Sequence, residues 1–211
     1  AHEQGKLLKV LILMTDGRIV TLPGTPDDGV GLHFTWTFDG SKREDEVWAF
    51  AVDDEQGTVA GVSPGDPGYA ATVLKQADWW LVFQHKVTVG TTRDLILPGG
   101  THLAFFVIQD DEIHDPEDDK HDKDKDGKDK DGKDKSDDWC GEKPLAYFSL
   151  DAANPDGMDH LHDQQLAADT LEHAWETGSD NKNRDFDDVV YTIELLSLDN
   201  PPTMYTPPDP R

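Results

Sequence analysis

Between Asp110 and Asp138 the chain is nearly all Asp, Lys, Gly, Glu and His, and it offers almost nothing to bury. Such a segment cannot offset the entropy of ordering its own backbone, so any core must be built from the residues on either side. Strand-like patterns resume soon after it, in Leu145 to Leu150 (LAYFSL), and continue in Thr170 to Glu176 and Val189 to Leu196. The segment therefore reads as a long acidic and lysine-rich loop inserted between two strands, not as a linker between domains.

The residues before the insertion also have strand character. Leu7 to Met14 is a short apolar run that ends at the turn signal Asp16-Gly17, and Arg18 to Leu22 follows. His33 to Phe38 (HFTWTF) alternates aromatic residues with Thr and stops at Asp39-Gly40. Val47 to Val52 (VWAFAV) is its expected hairpin partner. Tyr69 to Lys75 has the character of a short helix. Trp79 to Val89 and Leu103 to Ile108 read as core strands, with a Leu97-Pro98-Gly99-Gly100 turn between them. The expectation is an all-β chain: a β-sandwich or jelly roll forming one domain over residues 1–199, with the loop insertion at 110–138. An extended proline-rich tail follows at 200–211.

Hydrophobic residues make up 36% of the chain, enough for a sizeable core, yet the formal net charge is −25. A charge of that sign and size repels nucleic acid and anionic membrane surfaces, and it attracts cations. No nucleic-acid partner and no direct membrane insertion are expected. The longest apolar run, Leu7 to Met14, is broken by Lys9 and falls far short of the roughly 20 residues that span a bilayer. Cys140 is the single cysteine, so no intrachain disulfide is possible, and bound metal is the alternative staple. A start at Ala1-His2 is compatible with trimming by a signal peptidase and equally with editing of the chain.

The acidic residues gather toward the C-terminal end. Asn154, Asp156, Asp159, Glu176, Asp180, Asp185, Asp187 and Asp188 are the candidate metal ligands. Calcium takes six to eight hard oxygens, and carboxylates in tight loops beside strand ends supply them. Strand alternation through Asp185-Phe186-Asp187 would place the two aspartates on one face and Phe186 in the core. The competing reading is ordinary acidic loops. A second candidate, Asp122-Lys123-Asp124-Lys125-Asp126-Gly127, matches the opening of an EF-hand loop, but its twelfth position is Lys133 instead of Glu. A solvated charged loop is the favoured reading there. His160-x-His162 suits zinc only if both rings share a strand face, and His160 as a structural hydrogen-bonding side chain is preferred. Trp79 and Trp80 must point to opposite faces if they lie on a strand, so one of them is a candidate exposed platform for a sugar ring beside bound calcium, with core packing as the favoured reading.

The stretch from Leu97 to Leu196 resembles the bacterial domain-of-unknown-function family 4114, found in secreted adhesins and in surface proteins with PEP-CTERM sorting tails. The likeness is carried by Leu97-Pro98-Gly99-Gly100, Leu103-Ala104-Phe105-Phe106, Asn154 to His160, Trp175-Glu176 and the closing Arg184-Asp185-Phe186-Asp187-Asp188-Val189-Val190. Thr177 departs from the pattern where the family often has Asp, and Asp187 stands where Asn is usual. The resemblance implies calcium-dependent folding or adhesion outside the cell.

Together these readings lead to the expectation of a calcium-binding, extracellular, structural or adhesive module of a bacterial surface or matrix protein. Its expected partners are further copies of itself or a surface glycan. Two rivals stand beside it: a self-assembling filament subunit that uses its N-terminal strand, and a calcium-dependent carbohydrate-binding module. The enzyme motifs His-Glu-x-x-His and a phosphate-cradling glycine loop are absent from the sequence, and no catalytic activity is expected.

Overall fold

The computed structural model describes residues 12–14, 18–40, 44–84, 86–110, 145–177 and 184–196. Asp180, Cys140, the insertion beyond Asp110 and the tail lie outside the described residues, as do Asp16-Gly17 and Leu7 to Leu11. The described residues form an all-β, two-sheet sandwich with one short α-helix.

The strands are β1 (Ile12–Met14), β2 (Ile19–Thr21), β3 (Gly29–Asp39), β4 (Glu44–Val52), β5 (Trp79–Phe83) and β6 (Thr92–Pro98). They continue with β7 (His102–Asp110), β8 (Leu145–Phe148), β9 (Leu161–Ala167), β10 (Thr170–Trp175) and β11 (Val189–Leu195). One sheet runs β1-β2-β7-β4-β5 with β8 also paired to β7; the other runs β6-β3-β11-β10-β9. Every pairing is antiparallel. The described part of the apolar N-terminal run, Ile12–Met14, pairs with β2 inside its own sheet.

Alternation sets which side chains enter the space between the sheets. From one side come Val47, Ala49, Leu103, Phe105 and Val107; from the other come Phe34, Trp36, Trp175, Tyr191 and Ile193. The β4-β7 sheet is also covered on its outer face. There the helix α1 (Tyr69–Gln76) packs Tyr69 and Val73, one turn apart, against Phe50, Ala104, Phe106 and Phe148. That second layer explains why Leu103 to Ile108 is apolar at nearly every position: both faces of the strand are buried. Each fully buried large side chain contributes about 1.5–3 kcal/mol relative to exposure.

Two sequence expectations are corrected. Val47–Val52 is not the hairpin partner of His33–Phe38, because β3 pairs with β6 and β11 while β4 pairs with β5 and β7. Both segments carry a large apolar face, and the sandwich buries the two faces against each other instead of side by side. Trp79 to Val89 is not one strand either; β5 ends at Phe83. Trp79 and Trp80 do point to opposite faces, with Trp80 against the inter-sheet core and Trp79 46% exposed.

The register of β3 on β11 slips between Val190 and Tyr191, so that Phe38 opposes Val190 while Trp36 opposes Tyr191. Thr37 is the extra residue, and its hydroxyl donates to the Val190 carbonyl at 3.0 Å. The bulge turns Phe38 away from the core, where it is 47% exposed.

Candidate functional site

The carboxylates meet at one end of the sandwich, where β10 and β7 leave the core, β11 enters it and β3 ends. Trp175 is fully buried; the next residue, Glu176, is only 5% exposed, and Thr177 is buried as well. The Thr177 N–H and hydroxyl both donate to Asp188 Oδ2, at 2.8 and 3.3 Å. Gln109 on β7 donates its side-chain amide to the Thr177 hydroxyl at 3.3 Å, which ties the two sheets together at this point. The Gly40 N–H donates to the carbonyls of Asp187 and Asp188 at 3.0 and 3.1 Å. Glycine is required there, because a Cβ would sit 2.5 Å from the Asp187 carbonyl oxygen.

The electrostatics of this end are unbalanced. The Glu176 carboxyl is pushed above the ordinary carboxylate range, first by burial and then by the charge of Asp188. The Phe186 N–H approaches its Oε2 only at 3.4 Å. Asp187 is also pushed up, first by burial and then by its hydrogen bond to Asp185. Two carboxylates in that contact need a proton or a cation between them. Arg184 opposes the rise at Glu176 through its charge, while its guanidinium donates to the Asp159 carbonyl and lies 5.5 Å from the centre of the Phe186 ring.

The stretch 185–188 is not a strand, which corrects the alternation expected for it. β11 begins only at Val189, and Phe186 has a left-handed backbone, φ 53°. That twist leaves Phe186 half-buried, 6.0 Å from the ring of His162, not in the core. Asp185 and Asp187 are brought together all the same.

The earlier acids are arranged differently. Arg18 places its guanidinium between Asp151 Oδ1, at 3.0 Å, and Asp159 Oδ2, at 2.8 Å. Asp159 Oδ1 accepts the N–H of Leu161, so both of its oxygens have donors. Asp156 accepts the Met158 N–H at 3.0 Å and faces His160 Nε2 at 3.0 Å. Burial pulls Asp156 upward, but these donors outweigh it and hold the carboxyl below its usual range. Asn154 is buried and works as a clamp. Its Oδ1 accepts the Phe148 N–H at 2.7 Å, and its amide donates to the carbonyls of Phe148 and Met158. His160 is buried with Nδ1 2.7 Å from the Glu176 carbonyl oxygen; both ring nitrogens face protein acceptors, which leaves neither for zinc.

The eight sequence-predicted ligands thus divide. Glu176, Asp185, Asp187 and Asp188 lie at the same end of the sandwich and influence one another in pairs; Asn154, Asp156 and Asp159 hold the neighbouring loop; Asp180 lies outside the described residues. Sequence reasoning passed over Arg18, Asp151, Gln109 and Gly40, and it marked Thr177 only as a missing acid. No local signal reveals these roles, because their partners are distant in the chain. Among the described residues no group of three or more His, Cys, Asp or Glu side chains is gathered to hold a metal unaided. Calcium also accepts carbonyl oxygens and water, so two of these carboxylates can suffice for part of its shell, and hard oxygen donors are the class it takes. No helix among the described residues is long and apolar enough to cross a membrane.

No family model matches this chain, and no curated protein or solved structure matches it. The resemblance noted above rests on its motifs alone.

Proposed function

We propose that this chain is an extracellular structural or adhesive module stiffened by calcium at the sandwich end formed by Glu176, Asp185, Asp187 and Asp188. The observation that carries the reading is the contrast between two acidic groups in one molecule. Arg18 forms ion pairs with both Asp151 and Asp159, although burial and Asp159 still push Asp151 up, whereas Glu176 and Asp187 are pushed up by burial and by Asp188 and Asp185, with Arg184 opposing only weakly at Glu176. A divalent cation is the group that relieves such crowding. Calcium bound to the folded state alone adds RT ln(1 + [L]/Kd) to stability, about 2.7 kcal/mol at one hundred times Kd. It would bind the loop before β11 to the end of β10 and so stiffen that end of the five-stranded sheet. A chain of net charge −25 gains further from a bound cation through reduced self-repulsion.

The test is thermal unfolding in millimolar calcium and in chelator, with magnesium as a control. A higher melting temperature in calcium than in magnesium is expected. Equal curves in calcium and chelator would remove the metal from the account.

A further inference from the structure

We propose that a tryptophan corner on the outer face of the six-stranded sheet binds a neutral polysaccharide. A pyranose ring lies on the exposed indole of Trp79, and a sugar hydroxyl donates to Glu46. This surface lies apart from the carboxylate end, and the proposal does not depend on calcium.

The corner is built on β4 and β5. Trp79 opens β5, which is the last strand of its sheet in the observed order. It stands opposite Phe50, on the face that carries α1, while its neighbour Trp80 points to the core between the sheets. Alternation alone therefore does not explain an indole at 79, since a polar residue suits an exposed edge position equally well. Trp79 meets Trp48 edge to face, with ring centres 4.6 Å apart and planes at 69°. Trp48 is held from two further directions. Its ring stacks on Phe106, at 6.3 Å and 11°, and its Nε1–H donates to Glu46 Oε2 at 3.2 Å.

The two indoles make an L-shaped corner whose inner members are fixed before any ligand arrives. A preformed aromatic surface loses little entropy on binding. Its chemistry selects the partner. An indole face takes a flat apolar surface, and the C–H face of a pyranose is one that also carries hydroxyls around its rim. Glu46, at the foot of Trp48, is an acceptor for such hydroxyls. The charge of the chain narrows the class further: at −25 it repels sulfated, uronic or phosphate-bearing polymers, so an uncharged glycan fits best.

The experiment is affinity electrophoresis of the whole chain through gels containing laminarin, xylan or hydroxyethylcellulose, in chelator. Retardation by at least one of the three is expected. Trp79→Ala should weaken it about tenfold or more, the scale of a central aromatic anchor, and Trp79→Phe should retain part of it. Circular dichroism establishes that each variant is folded. Should the alanine variant not fold, titration of wild type and Trp79→Phe with laminarin, followed by tryptophan fluorescence, replaces it: a shift present in wild type and diminished in the variant is expected. Passage of wild type through all three gels unretarded overturns the proposal, as does an alanine variant retarded like wild type or an equal fluorescence response in both proteins. Sedimentation supplies the remaining outcome. If Trp79→Ala converts a wild-type dimer to monomer and no glycan binds, the corner is a contact between copies of this chain, and the proposal fails. Persistence of binding in chelator separates it from the calcium reading.

Discussion

Thr177 donates twice to a single oxygen of Asp188, once from its backbone N–H and once from its hydroxyl. The hydroxyl also accepts from Gln109 on the opposite sheet. Thr177→Val keeps the backbone donor and the shape but removes the hydroxyl from both bonds. A loss of about 1–3 kcal/mol is expected, because the buried Gln109 amide is left without this acceptor. Chemical denaturation of the two proteins measures it. Thr177→Asp should be worse, since it sets a second buried carboxylate against Asp188.

Asp187→Asn separates repulsion from metal binding by the sign of its effect. In chelator the substitution removes a crowded charge, and the melting temperature should rise by about 2–4 °C, the shift that roughly 1 kcal/mol produces in a chain of this size. In calcium the same substitution should shrink the calcium-dependent increment. A variant that loses stability in chelator would show that the Asp187 charge is itself favourable.

Asp151, Glu176 and Asp187 have folded-state pKa values above their unfolded ones, so all three oppose folding at neutral pH. As pH falls through their raised values, the folded state takes up protons first and stability increases. Asp28, Asp54 and Asp156 are held low by hydrogen bonds and contribute in the opposite sense; their stability is lost as pH falls through the depressed values. Calcium-free protein should therefore gain stability on mild acidification, just above the ordinary carboxylate range, and lose it on stronger acidification. Melting temperature against pH in chelator reads both limbs, and Glu176→Gln should flatten the first.

Asn154→Ala should cost about 2–4 kcal/mol, because two buried hydrogen bonds to the backbone of residue 148 and a part-buried one to residue 158 disappear together. The loop carrying Asp156 and Asp159 would lose its anchor. Hydrogen exchange at Phe148 and Met158 is the direct check. Unchanged protection at both amides would show that the loop is held by Arg18 and His160 instead.

Much of the architecture was legible in the sequence. Alternation in His33–Phe38 and Val47–Val52, and the apolar run at Leu103–Ile108, named strands that the fold contains, and Tyr69–Lys75 named its helix. These signals are local, since burial of one or both faces dictates which neighbours along the chain are apolar. Strand pairing was not legible. Whether β4 lies beside β3 or across from it depends on which faces meet at long range, and both arrangements bury the same residues. The bulge at Thr37, which turns Phe38 outward, is likewise a property of pairing with β11.

The same division holds at the acidic end. By itself the sequence determined that Asn154 to Asp159, Glu176 and Asp185 to Asp188 are rich in oxygen ligands, and that the chain as a whole is short of positive charge. Only the tertiary structure decided which of those charges are answered. Arg18, far away in sequence, reaches Asp151 and Asp159, yet burial and Asp159 still push Asp151 up, as burial and neighbouring carboxylates do Glu176 and Asp187. The physical reason is that Coulomb energy depends on separation in space and on local burial, and neither follows from order along a chain.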